Sequence, residues 1–203
     1  MHIRYKYPCI DEINILEVYK DDECFYDWYR IVKRILKSKE FQKRRVFMHH
    51  ENESLWTHSI KVSFLSYKYA IKHNVSEYNC AIAGLLHDFY TKAWQYSKEL
   101  EYLDEKYREN FIKKERCKFK ELHGISHPID ALNNSKKYFN RYLNERVEDA
   151  IVTHMFPLSI INGQIPKYKE SYVITMVDKY VSFNFENIKE LTKYLGLKKS
   201  KKF

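Results

Sequence analysis

The spacing of apolar positions predicts helices along most of the chain. Apolar residues recur three and four positions apart in several segments, which is the period of one helix face. These segments are residues 11–40, 54–73, 77–90, 128–142 and the stretch from Asn144 to Pro157. Residues 170–185 are rich enough in β-branched residues for a buried strand, but their length and the lack of another convincing strand favour a helix. We therefore expect an all-α fold, a single-domain helical bundle.

The composition agrees with this fold class and indicates the cellular compartment of the protein. Among 203 residues there are 4 Gly and 4 Pro, and neither occurs between Pro8 and Gly84. So few breakers favour long helices. No apolar run approaches the ~20 residues of a membrane span, and the N-terminus lacks the apolar core of a signal peptide. We expect a cytoplasmic protein with no membrane partner, whose four scattered cysteines are reduced packing residues.

The net charge of +9 leaves nucleic acid open as a partner without favouring it. A basic surface attracts phosphates, but acidic residues interleave with the basic ones almost everywhere in this chain. The charged segment 91–122 follows the same pattern, with charges that alternate in sign among aromatic residues. A solvated surface is therefore the favoured interpretation of both features.

Several polar residues fall on apolar helix faces, where they need partners. The uncharged run 81–86 ends in His87 and Asp88, while His58, His154 and Asp178 share faces with apolar residues. His127 begins a helix after a sharp turn. One buried histidine is usually a satisfied core residue, but six such groups together need mutual compensation. A divalent metal supplies it, and imidazole with carboxylate suits Fe, Mn, Zn, Ni or Co.

This pattern of His58, His87-Asp88 and Asp178 resembles that of the HD-domain metal-dependent phosphohydrolases. The resemblance covers residues 45–185 approximately, and His127 and His154 resemble the added histidines of binuclear members. The chain is also similar to a group of small bacterial HD proteins in five short motifs: His49-His50 and residues 85–90, 123–128, 154–158 and 177–180. It implies one ion held by His58, His87, Asp88 and Asp178. A second ion would be held by His127 and His154, with Asp88 bridging the two. Asp88 and Asp178 would then be catalytic, acting on a metal-bound water that attacks phosphorus.

The resemblance also implies contacts to the phosphate of a small substrate, with a nucleotide as the favoured class. The candidate substrate-binding residues are His49, His50, Lys61, Lys92 and His123. Many HD proteins carry HDIGK, whereas Lys92 comes one position later here. No GYP triplet follows, which disfavours a cyclic di-GMP phosphodiesterase. Two alternatives stay open: a non-catalytic HD-like module that binds a nucleotide or nucleic acid, and a helical protein with one incidental metal.

We expect three regions along the chain. Residues 1–45 would form an N-terminal helical extension and residues 46–185 the HD domain, with 91–122 as a charged insertion. Residues 186–203 would form a C-terminal helix and a basic tail. The sequence leaves the oligomeric state open.

Overall fold

A computed structural model describes residues 14–49, 53–93 and 123–182, together with Leu100, Leu103 and Arg108. Within these ranges the chain is helical and contains no strand, and Met48 and Ser54 form an isolated bridge. The predicted all-α class is confirmed. The described helices are α1 Ile15–Tyr19, α2 Phe25–Leu36, α3 Lys39–Gln42, α4 Leu55–His73, α5 Glu77–Leu86, α6 His123–Phe139, α7 Glu145–Thr153 and α8 Lys169–Ser182.

Short polar side chains fix where three of these helices begin. The Ser54 hydroxyl accepts a hydrogen bond from the backbone N–H of Thr57, and Ser76 does the same for Asn79. The Asn144 side chain accepts from two backbone N–H groups at the start of α7. Each cap satisfies donors that have no partner inside the helix.

Helices α4 and α5 form the centre of the fold and approach each other closely. A Cβ atom added to Gly84 would lie 2.8 Å from the Cα atom of Ser63. The Ser63 hydroxyl donates to the carbonyl oxygen of Ala81 at 2.7 Å and accepts from the indole N–H of Trp28 at 2.9 Å. Helix α5 also packs against α2, α6, α7 and α8. Burial on all sides explains why it carries so few charges.

The N-terminal segment departs from the predicted pattern but shares the central core. The helical pattern of residues 11–40 is divided into α1, α2 and α3. In the first break the Asp22 carboxylate accepts from the backbone N–H of Cys24 at 2.9 Å, an alternative to continuing the helix. Trp28 and Ile35 of α2 are fully buried in the same core cluster as Trp56 of α4. The described part of the N-terminal segment therefore packs into the same core as α4.

Two helix ends also differ from the prediction, and both differences affect the polar residues. Helix α5 ends at Leu86 instead of residue 90, so that His87 and Asp88 lie in a turn. Helix α6 begins at His123 instead of residue 128, and Pro128 lies inside it. A proline removes one backbone donor, and a helix tolerates this loss best when the proline lies close to its N-terminus. His127 is therefore held within a helix.

A buried arginine connects the segment before α4 to the turn after α5. A 3-10 helix spans Lys43–Val46, and the Arg44 guanidinium donates to the carbonyl oxygens of Glu40 and Tyr90. It also lies over the ring of Phe89, 4.0 Å from its centroid. Burial lowers the pKa of Arg44 to about 10, still above neutral pH. These contacts fix the chain on both sides of the polar cluster.

Candidate metal centre

The six polar residues singled out in the sequence meet in one buried cluster. His58 lies in the first turn of α4, His87 caps the C-terminus of α5, and Asp88 follows it. His127 lies in α6, His154 caps the C-terminus of α7, and Asp178 lies in α8. None is more than 7% exposed. Because α5 ends at Leu86, the adjacent His87 and Asp88 can both face the cluster.

Three of these residues form the first part of the cluster, which we call the His58 half: His58, His87 and Asp178. The Nε2 atom of His58 lies 3.0 Å from Oδ1 of Asp178, and that of His87 lies 3.4 Å from the same oxygen. The two Nε2 atoms are 3.3 Å apart. Three helices that are distant in sequence thus bring three ligand-type atoms to one point.

The second part, which we call the His127 half, consists of His127, His154 and Oδ1 of Asp88. The two Nε2 atoms are 2.8 Å apart. They lie 3.1 Å and 3.4 Å from the Asp88 oxygen. The other oxygen, Oδ2, faces the His58 half, at 3.5 Å from Nε2 of His87 and 3.9 Å from that of His58. Asp88 therefore offers one oxygen to each half.

Backbone contacts define the proton positions on three of the four imidazoles. The Nδ1 atoms of His87, His127 and His154 lie 2.6–2.8 Å from the carbonyl oxygens of Gly84, His123 and Ile151. A carbonyl oxygen only accepts, so each Nδ1 carries a proton. In a neutral ring the Nε2 atom then presents its lone pair.

The lone pairs of these nitrogens point at one another and at carboxylate oxygens. Lone pairs so placed repel one another unless a cation lies between them. The donor atoms form three groups, and within each group they lie within 4.8 Å of one another. Two groups are the halves described above, and the third consists of His49, His58 and Asp88. A ring that donates through Nδ1 and binds through Nε2 is the usual form of a metal-ligating histidine. The residues of this cluster therefore fit divalent metal ions.

The electrostatics of the cluster keep both carboxylates ionised. Burial alone raises the pKa of Asp88, but His87 and His127 outweigh it and hold that pKa well below its usual range. The same balance with His58 and His87 lowers the pKa of Asp178. Burial would lower the pKa of His87, but Asp88 and Asp178 raise it to about 9. For His154 the effect of burial prevails, and its pKa is lowered. Protons and metal ions therefore compete for this cluster.

Two of the predicted substrate-binding residues lie against the cluster. The ring of His49 is buried and packs on that of His58, with centroids 3.9 Å apart. The half-buried ring of His123 stacks on His127, with centroids 4.6 Å apart. Each half thus has one further imidazole on the face of one of its rings.

The other three predicted contacts are placed differently. Lys61 forms an ion pair with Glu53, and Lys92 is exposed. His50 lies outside the described residues. Nothing in the sequence pattern distinguished Lys61 from other surface lysines on α4.

Sequence reasoning assigned no role to four residues that neighbour members of the cluster: Glu53, Tyr90, Asp130 and Lys179. Asp130 follows His127 by three positions, a helical spacing that could have indicated a shared face. Its Oδ2 atom accepts from the backbone N–H of Thr91 at 2.9 Å and from its hydroxyl at 2.7 Å. No comparable signal marks the other three, whose contacts depend on tertiary packing.

Comparison with protein families identifies the class to which this arrangement belongs. The model of the HD domain matches residues 55–182, more than half of the 203 residues. The chain belongs to the HD domain family, whose members bind divalent metals and are mostly metal-dependent hydrolases. A search of curated proteins finds no match, and neither does a search of solved structures.

One further feature concerns membranes. In the part of the chain that the structure describes, no helix combines the length and the apolar character needed to cross a bilayer.

Proposed function

We propose that this protein is a phosphohydrolase that uses two divalent ions to cleave a phosphate mono- or diester, with a nucleotide as the favoured substrate class. The observation that carries the proposal is the position of Asp88, whose two oxygens face two separate sets of imidazole nitrogens. A carboxylate so placed suits a pair of ions that share a ligand. Paired ions are a recurrent solution for phosphate ester cleavage.

Each half would hold one ion. The first would bind His58, His87 and Asp178, the second would bind His127 and His154, and Asp88 would contact both. Such ions, when bound, lower the pKa of a coordinated water and polarise phosphate oxygens. The backbone contacts of His87, His127 and His154 orient their rings so that Nε2 faces inward. Asp178, ionised beside two imidazoles, is suited to orient the attacking water.

The side chains on the ring faces suggest how the substrate is held. His49 and His123 lie beside the His58 half and the His127 half, respectively, and we propose them as phosphate contacts. Lys61 is paired with Glu53, which reduces the charge it can offer to a phosphate. Lys92 is exposed next to Thr91, whose contact with Asp130 anchors this segment.

A combined metal and activity measurement tests the proposal. Elemental analysis of untreated protein should give two divalent ions per chain, and Mn²⁺-loaded protein should hydrolyse members of a panel of phosphate mono- and diesters. Asp88→Ala should lose both the ions and the activity. Asp22→Asn provides a control, because this carboxylate pairs with Lys68 and is not among the residues that form the cluster.

The possible outcomes separate the alternatives. Full metal content in Asp88→Ala would contradict the proposal. Tight nucleotide binding without turnover on any ester would favour the non-catalytic module. One ion per chain that is unaffected by His127→Ala and His154→Ala would favour an incidental metal.

A further inference from the structure

We propose that the Glu53 carboxylate accepts a hydrogen bond from Nδ1–H of His58. This contact would present Nε2 of that ring to a metal ion. Glu53 would be a positioning residue for the His58 half. The inference rests on the proposed two-ion site. Glu53 lies just outside the part of the chain that the HD domain model matches, which begins at residue 55.

His58 differs from the other three histidines in what its Nδ1 atom contacts. Those three donate to backbone carbonyl oxygens within their own helix or turn. The Nδ1 atom of His58 is fully buried and makes no hydrogen bond to a described residue. A buried donor without a partner has lost its hydrogen bond to water and gained none in return, which destabilises that form of the ring. The site therefore requires an acceptor at this position whenever Nδ1 carries the proton.

Glu53 is the acidic residue, among those described, that faces this atom. Its Oε2 atom lies 3.9 Å from Nδ1 of His58, and its side chain is only 20% exposed. The other oxygen, Oε1, pairs with Nζ of Lys61 at 2.5 Å. The lysine thus holds one oxygen and leaves the other directed at the histidine. A shift of about 1 Å closes the gap to hydrogen-bond length.

The backbone of Glu53 and Ser54 is tied to neighbouring described residues, so that side-chain rotation of Glu53 can supply the shift. The carbonyl oxygen of Glu53 accepts from the backbone N–H of His49 at 2.8 Å. The next residue, Ser54, bridges to Met48 and caps α4. On the other side, the ring of His49 packs against His58 and limits how far that ring can turn.

The position of one proton explains why Glu53 should affect metal binding in particular. Without an ion, Nε2 of His58 can donate to Oδ1 of Asp178, 3.0 Å away, and Nδ1 then needs no acceptor. When Nε2 serves as a ligand, the proton must be on Nδ1. Glu53 stabilises only this second form. Its removal should therefore weaken metal binding without lowering the stability of the metal-free protein.

A metal titration of the full chain tests this inference. Metal-free protein is titrated with Mn²⁺ by calorimetry, comparing wild type with Glu53→Ala and Glu53→Gln. We expect one of the two ions to bind about 10- to 100-fold more weakly in Glu53→Ala, the range typical of an outer-shell partner. Glu53→Gln should lose less, because its amide oxygen still accepts. Melting temperatures without metal should match the wild type.

Glu40→Ala is the matched control. Glu40 also pairs with a lysine, Lys43 at 2.8 Å, and its side chain is 28% exposed, but it makes no ion-pair contact with a histidine of the described residues. A second readout is the NMR signal of the His58 Nδ1 proton in Zn²⁺-loaded protein. This signal should shift or disappear in Glu53→Ala and stay in Glu40→Ala.

Three results would overturn the inference, and they are distinguishable. If wild type binds two ions and Glu53→Ala binds both as tightly, Glu53 has no role while the proposed function stands. If Glu53→Ala lowers the melting temperature equally with and without metal, its role is purely structural. If wild type binds no ion, the proposed function fails and this inference fails with it.

Discussion

The two halves of the metal centre contain the same kinds of donor atom but are built differently. Each brings two Nε2 atoms and a carboxylate oxygen together, with the nitrogens 3.3 Å apart in the His58 half and 2.8 Å apart in the His127 half. His127 and His154 are 27 residues apart, on two neighbouring helices. His58 and Asp178 are 120 residues apart.

The support of the rings differs accordingly. Both rings of the His127 half are oriented by carbonyl oxygens three or four residues earlier, a device contained in each helix. In the His58 half only His87 is held this way. His58 depends on the close packing of α4 on α5 and, in our proposal, on Glu53. The His58 half should therefore be the more sensitive to substitutions outside the donor set.

The largest expected effect comes from the residue that the halves share. Asp88→Ala should remove both ions, whereas Asp178→Ala should remove only the ion of the His58 half. Both should lower kcat/KM by more than about 100-fold, beyond the range typical of an outer-shell change. Elemental analysis beside ester hydrolysis measures the difference. Equal loss of metal in the two variants would mean that the halves do not bind ions separately.

Loss of one half alone should have the next largest effect. His154→Ala should leave one ion, bound by His58, His87 and Asp178, and His87→Ala should leave the ion of the other half. Each variant should show a stoichiometry near one by calorimetry. Its activity should fall about 100-fold or more, because the two ions no longer act together on the phosphate ester. Retention of two ions in His154→Ala would remove this residue from the donor set.

A packing change tests whether the His58 half depends on the α4–α5 contact. Gly84→Ala forces a Cβ atom to within 2.8 Å of the Ser63 backbone, and we expect a loss of about 1–3 kcal/mol in the free energy of unfolding. Metal affinity of the His58 half should fall as well. Chemical denaturation and metal titration measure the two effects.

Gly124→Ala is the control for this packing change. Among the described residues, its added Cβ atom would meet only the ends of Met155 and Leu158, at 3.8 Å and 4.0 Å. It should therefore be neutral or slightly stabilising in α6. If both glycine variants behave alike, the close approach of α4 and α5 is not important for stability.

The smallest expected effect concerns the segment after Asp88. Thr91→Val removes the hydroxyl that donates to Asp130 but keeps the backbone N–H contact. We expect a loss of about 1 kcal/mol in the free energy of unfolding and full metal content. Thr91→Ser retains the hydroxyl and should behave as wild type. A loss of metal in Thr91→Val would show that this contact supports the His127 half.

The sequence was sufficient for the fold class and for the six residues of the cluster, because both follow from local patterns. Helical spacing places His58, His154 and Asp178 on apolar faces, and burial of such residues requires partners. Helix ends were less predictable: Pro128 is typical of the first turn of a helix but lies inside α6. Glu53 could not be found, since its relation to His58 depends on a loop conformation and not on periodicity.

The separation of His58 and Asp178 along the chain has a consequence for how the centre forms during synthesis. A ribosome releases His58, then His87 and Asp88, then His127 and His154, and Asp178 of α8 comes last. All donor residues of the His127 half, with Asp88, have been synthesised before that point, whereas the His58 half still lacks its own carboxylate. An ion that reaches the nascent chain early would meet the full donor set of one half only. Full loading would therefore mark a chain whose synthesis has passed α8.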